Sequence, residues 1–175
     1  MFQQSTFAAS VLLLAAFGAV DAAPQQFGDY TVAVAADPAA ATGVKALAYE
    51  ITVENTGLTL ARLTAPYHGT LSNSFVADLN HDGAFEVVVT FSDEGGHATD
   101  VKVYSWKGDL LQPLKVAELA ETQRQGYRGD DEFAVTDGKL IRVFQVYEQH
   151  GSEWTPTANR RKLHYSFEDP RWVSD

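Results

Sequence analysis

The chain has 175 residues, with 13 Lys and Arg against 23 Asp and Glu, a formal net charge of −10 and no cysteine. An acidic surface of this kind disfavours nucleic acid and anionic lipid as partners. Without cysteine there are no disulfides and no thiolate nucleophile, so packing alone must hold the fold together.

Residues 7–20 form an uncharged apolar run, and Val20-Asp21-Ala22 follows with small residues suited to cleavage. This reads as a secretory signal peptide cut after Ala22, although no Lys or Arg precedes the run. The run is shorter than the ~20 residues that span a bilayer. The expectation is therefore a leader over residues 1–22 and one domain over 23–175. The expected address is the periplasm or the space beyond it. With no cysteine, a lipid-anchored lipoprotein is excluded.

Alternation with period two runs through the rest of the chain. Residues 30–35 place Val32 and Val34 on one face, and Leu47, Tyr49, Ile51 and Val53 do the same in the next segment. Asn55-Thr56-Gly57 is a turn signal, with 58–64 as its returning partner. Residues 74–77 are short and β-like. Residues 85–91 are apolar almost throughout, the pattern of a strand covered on both faces. Residues 101–106 alternate, Lys107-Gly108-Asp109 turns, and 110–119 follows with Pro113 at a position suited to an edge. Phe133 and Val135, the turn Asp137-Gly138, and 140–147 make the clearest hairpin, and 163–167 is the last strand. Residues 117–125 have the composition of about two turns of helix, and 168–175 is expected to fray. The fold class is all-β: one antiparallel sandwich or barrel-like domain of about eight or nine strands, with at most one short helix.

Two loops carry chemistry. In the first, Asp78, Asn80 and Asp82 alternate before Gly83, and Glu86 follows. These four residues are candidate calcium ligands, because calcium wants six to eight oxygens from such side chains and from carbonyls. The competing reading is a turn whose Asx side chains cap their own backbone, with Gly83 at positive φ. An EF-hand is excluded, since its twelfth position falls on Val89 and a strand follows instead of a helix. The second loop, Phe-Ser-Asp-Glu-Gly-Gly-His-Ala-Thr-Asp over 91–100, is longer than a minimal hairpin turn. Ser92, Glu94, Gly95, Gly96 and His97 are its candidate partner-binding residues.

Other motifs are weaker. Arg128-Gly129-Asp130 is a short tripeptide that recurs by chance. The five His residues, at 68, 81, 97, 150 and 164, lack zinc-ligand spacing. There is no Gly-x-Ser-x-Gly elbow, and a carboxylate pair such as Asp130 with Glu132 reads as a solvated edge. The expectation is a binding protein and not an enzyme.

The order of several segments resembles one family. These are the 78–86 loop, the glycine-rich loop, 101–106, Gly126-Tyr127-Arg128-Gly129-Asp130-Asp131-Glu132-Phe133, Arg142-Val143-Phe144-Gln145-Val146-Tyr147 and Arg160-Arg161-Lys162-Leu163-His164-Tyr165. Together, over roughly 75–167, they resemble the periplasmic inhibitors of invertebrate-type lysozyme. The resemblance implies a small exported β-rich protein that pushes a loop into a host lysozyme's active-site cleft. The family's loop carries Ser-Gly-x-Tyr, and the matching place here reads Glu94-Gly95-Gly96-His97 or Gly95-Gly96-His97-Ala98, where one Gly fits and the Ser and Tyr do not. Lysozymes cleave with carboxyl groups. Ser92, the amides of Gly95 and Gly96, and a protonated His97 are the expected donors to them. The alternative is a calcium-stabilised β module for surface or adhesive interactions, and self-association as a homodimer is also open.

Overall fold

The computed structural model describes residues 22–36, 47–93 and 97–174. The expected leader therefore lies almost wholly outside the described residues, as do Glu94, Gly95 and Gly96 of the expected binding loop.

The described chain is all-β, and its strands form three antiparallel four-stranded sheets in the order of the sequence. The first holds β1 (Ala22–Phe27), β2 (Tyr30–Ala36), β3 (Leu47–Asn55) and β4 (Leu58–Tyr67). The second holds β5 (Thr70–Ala77), β6 (Glu86–Ser92), β7 (Ala98–Trp106) and β8 (Leu111–Leu114). The third holds β9 (Glu132–Thr136), β10 (Lys139–His150), β11 (Glu153–Ser166) and β12 (Arg171–Ser174). Each sheet is a simple meander, so every pairing is made by a chain neighbour. Such local pairings close short loops and cost little chain entropy.

The second sheet is the middle layer. Val87, Val89 and Phe91 of β6 pack with Val32, Val34, Tyr49, Ile51 and Val53 of the first sheet. Val88, on the opposite face of the same strand, packs with Leu140, Phe144, Leu163 and Trp172 of the third. That is why β6 is buried at every position and why its sequence lacks alternation. The hydroxyls of Tyr49 and Tyr104 hydrogen-bond to each other between the first two sheets, so neither is stranded in a dry interior. Burial, and then the Tyr104 partner, push the Tyr49 hydroxyl far above the ordinary tyrosine range.

Several expectations change here. Among the described residues, twelve strands in three stacked sheets stand where eight or nine in one sandwich or barrel were expected. Alternation reports that a face is covered, not which sheet covers it. β1 and β12 are the unforeseen strands. The expected helix at 117–125 is a single turn closed by Arg124 N–H to the Ala120 carbonyl at 3.0 Å. Upstream of that turn the backbone is committed elsewhere. Ala117 N–H donates to the Tyr165 hydroxyl at 3.0 Å, and the Trp172 indole donates to the Ala117 carbonyl at 2.8 Å. Nor does the C-terminal stretch fray through its length. β12 pairs with β11 at Leu163–Ser174 through Ser166–Arg171, anchored by the buried Trp172.

Candidate functional site

The 78–86 loop leaves β5 and enters β6 by capping its own backbone. His81 and Gly83 take φ of 59° and 86°, which turns the chain sharply. Asp78 accepts from the amides of Asp82 at 3.1 Å and Gly83 at 3.0 Å, one on each carboxylate oxygen. The Asp82 carboxylate accepts from Ala84 N–H at 2.8 Å, and this bond above all holds its pKa below the usual carboxylate range. Glu86 is wholly buried. It accepts from Leu79 N–H, the Ser105 hydroxyl (both 2.9 Å) and the Asn80 amide (3.1 Å). Burial nevertheless dominates and pushes its pKa up.

The four expected calcium residues therefore share one loop, but their oxygens are turned to the loop's own donors. Among the described residues no group of three or more His, Cys, Asp or Glu is placed to hold one ion. For Glu86 to join an ion, it would have to loosen its bonds to the Leu79 amide, the Ser105 hydroxyl and the Asn80 side-chain amide.

The 91–100 loop is narrow at its base. Ser92 pairs with Ala98 across β6 and β7, and its side chain is buried, so it is not offered to a partner. Asp93 N–H donates to the His97 carbonyl at 3.0 Å, and His97 N–H donates to Asp93 Oδ1 at 2.9 Å. The imidazole itself lies between two carboxylates of its own chain: Nδ1 is 3.4 Å from Asp93 Oδ2, and Nε2 is 3.2 Å from Asp130 Oδ1. Of the expected binding residues, the structure places His97 on the surface at the base of the loop and Ser92 inside. His97 makes these two contacts while its side chain stays 57% exposed.

Asp130 belongs to a second connection that lies against the first, joined by a bridge between Ala98 and Asp131. Gly129 and Asp130 take φ of 97° and 61°. The other Asp130 oxygen accepts from the Tyr147 hydroxyl at 2.7 Å, a bond that raises the tyrosine's pKa. The Arg128 guanidinium stacks 4.9 Å over the Trp154 ring. The Arg-Gly-Asp tripeptide is thus occupied internally at both charged ends. Beneath it, Arg142 forms a paired bond with Asp131, both contacts at 2.7 Å, and also donates to the Tyr127 hydroxyl at 2.9 Å. The rings of Tyr127, Phe133, Phe144 and Trp172 surround that guanidinium at 5.2–5.8 Å.

No family model, curated protein or solved structure matches this chain.

The surface so assembled comprises the loop base at Asp93 and His97, the 128–130 turn, and the outer arm of the β10–β11 hairpin. β9 pairs only with 139–143 and β12 only with 163–166; Val146 and Tyr147 are met by Tyr127 and Gly126, and past them the hairpin through Trp154 extends beyond its own sheet as a two-stranded arm. Asp130, Tyr147, Arg128 and Trp154 were not singled out from sequence as one group. For Tyr147 and Trp154 the signal was the length of apolar and aromatic alternation through 140–147, continued after the turn at Gly151; for Arg128 and Asp130 it was only the short tripeptide.

Proposed function

We propose that this chain is an exported, non-enzymatic inhibitor of a lysozyme, acting from the periplasm or beyond it, and that the connection between β6 and β7 enters the enzyme's cleft. The observation that carries the reading is the base of that connection. It is closed by Asp93 and His97 and tied to a second connection through Asp130. A loop fixed at its base loses little freedom on binding, which favours affinity. In this reading the amides of Gly95 and Gly96 serve the catalytic carboxyls, and His97 positions the loop instead of touching them. The net charge of −10 favours encounter with a basic enzyme.

The test is a panel of invertebrate-type, chicken-type and goose-type lysozymes. Inhibition of the invertebrate-type enzyme, lost when Gly95-Gly96-His97 is replaced by three Asn, is the expected result. Absence of inhibition across the panel sinks the proposal.

A second reading is a calcium-stabilised interaction module. It is favoured by Asp78 and Asp82 standing on one tight loop, with Asp82 kept ionised by its backbone partner. A rise in melting temperature with calcium, abolished by Asp78→Asn and unaccompanied by lysozyme inhibition, supports it.

A further inference from the structure

Past Tyr147 the β10–β11 hairpin continues as a two-stranded arm, with Glu148 opposite Thr155, Gln149 opposite Trp154 and His150 opposite Glu153. A ribbon of two strands is marginal by itself in water. This one is braced by the 128–130 turn. The Tyr147 hydroxyl donates to Asp130 at 2.7 Å, and the Arg128 guanidinium stacks 4.9 Å over Trp154. Opposite and alternate residues of a hairpin share a face, so Tyr147, Gln149, Trp154 and Pro156 stand together on the side that the turn supports. The same turn holds the loop base, since Asp130 Oδ1 is 3.2 Å from His97 Nε2. Direct contacts thus run from the β6–β7 connection to the arm.

Trp154 is unlike the other two tryptophans. Trp106 and Trp172 are each 3% exposed, whereas Trp154 is 38% exposed and belongs to neither hydrophobic core. Arg128 already holds its ring, so the ring offers apolar area to a partner with little loss of freedom. Trp, Tyr and Arg are the residues enriched among the anchors of protein interfaces. Trp154, Tyr147 and Arg128 bring one of each to this patch. The arm is also acidic. Residues 147–157 include Glu148 and Glu153 and no Lys or Arg. The Glu148 side chain is 69% exposed, so its charge faces solvent and suits a basic partner.

We propose that this arm is a second contact with the lysozyme, made outside the cleft, with Trp154 as its anchor. The inference rests on the lysozyme reading above and adds a partner surface to it: an apolar patch beside the enzyme's cleft, flanked by Lys and Arg. Catalytic carboxyls are common to lysozymes, so a loop that serves them discriminates poorly between one lysozyme and another. Specificity is a difference of affinities. The arm supplies that difference by meeting the enzyme where the chemistry leaves its sequence free.

The test uses the full chain and an invertebrate-type lysozyme. In ¹H–¹⁵N spectra the Trp154 indole signal, assigned through Trp154→Phe, shifts when the enzyme is added, and those of Trp106 and Trp172 stay in place. Trp154→Ala raises the inhibition constant by at least about thirtyfold. Amide hydrogen exchange at Asp93 and His97 keeps its wild-type rate in that variant, which separates loss of a contact from loosening of the loop base. Glu148→Gln combined with Glu153→Gln slows association about fivefold at low salt, and the difference closes at high salt. An inhibition constant unchanged by Trp154→Ala, while the wild-type chain inhibits, overturns the arm contact and leaves the lysozyme reading standing. So does a raised constant accompanied by faster exchange at Asp93 and His97. No inhibition by the wild-type chain overturns both.

Discussion

His97 Nε2 and Asp130 Oδ1 lie 3.2 Å apart, and this contact joins two connections separated by more than thirty residues in sequence. Asp130 can reach both His97 and Tyr147 because it sits at positive φ, a conformation that Asp tolerates better than most residues. Replacing it by Ala removes both partners at once. For Asp130→Ala we expect a small drop in melting temperature and an unchanged β signature by circular dichroism. The inhibition constant against an invertebrate-type lysozyme should rise at least tenfold. An unchanged constant would mean that the stiffness of the loop base does not serve binding.

Arg142 offers a sharper stability test. Its side chain is 12% exposed and that of Asp131 5%, so the pair is shielded from solvent. Removing one member of such a pair leaves the other charge unmatched in the interior, at a cost of about 3–5 kcal/mol. Arg142→Ala should show that loss in urea denaturation. Arg142→Lys should recover little of it, because an ammonium cannot make the paired contact with Asp131 and stack among four rings. Recovery by Lys to near wild-type stability would show that charge alone matters there.

Glu86 gives a pH dependence whose sign can be worked out. Burial raises its folded-state pKa above the ordinary 4.5. As pH falls from neutral, the native protein therefore takes up this proton before the unfolded chain does. Stability from this site rises until pH reaches about 4.5, below which both states are protonated and the gain is flat. Glu86→Gln removes the titration. It also turns an amide toward donors that need an acceptor, at a cost of about 1–3 kcal/mol. In paired urea melts at pH 7 and pH 4.5, the wild-type advantage over Glu86→Gln should be larger at the lower pH. A smaller advantage at pH 4.5 would show that the carboxylate is favoured in its charged form.

The hairpins were legible because their turns demand particular residues. Thr56 and Gly57, and Asp137 and Gly138, all sit at positive φ, where the sequence had placed the turns. The middle layer was also legible, in the unbroken apolar run of β6. What failed was inference from composition. Residues 117–125 have good helix formers, but Tyr165 and Trp172 claim the backbone of Ala117 from nearly fifty residues away or more. No local pattern records such a long-range bond. The candidate site divided in the same way. His97 was found from its position in a glycine-rich loop, whereas Asp130 and Tyr147 become part of the site only when three connections fold together. Ser92 was misjudged because a hydroxyl next to a polar loop looks exposed, yet its pairing with Thr70 and Ala98 puts it inside a sheet.

Gly69 tests whether the base of the β6–β7 connection depends on the turn beneath it. It sits between β4 and β5 with φ of 88°, and a Cβ built there would lie 2.2 Å from the carbonyl oxygen of Ser92. That oxygen belongs to the backbone immediately before Asp93, so it cannot move without disturbing the Asp93–His97 closure. Gly69→Ala therefore combines a disfavoured backbone conformation with a clash, and should cost about 2–4 kcal/mol. Gly28→Ala is the control. It is also at positive φ, 55°, but no atom lies within 4 Å of its built Cβ, so only conformational strain of about 1 kcal/mol applies. If the clash is what matters, hydrogen exchange at the amides of Asp93 and His97 should accelerate in Gly69→Ala and stay unchanged in Gly28→Ala. Equal effects of the two substitutions on those amides would show that the close approach of Gly69 to Ser92 does not support the loop base.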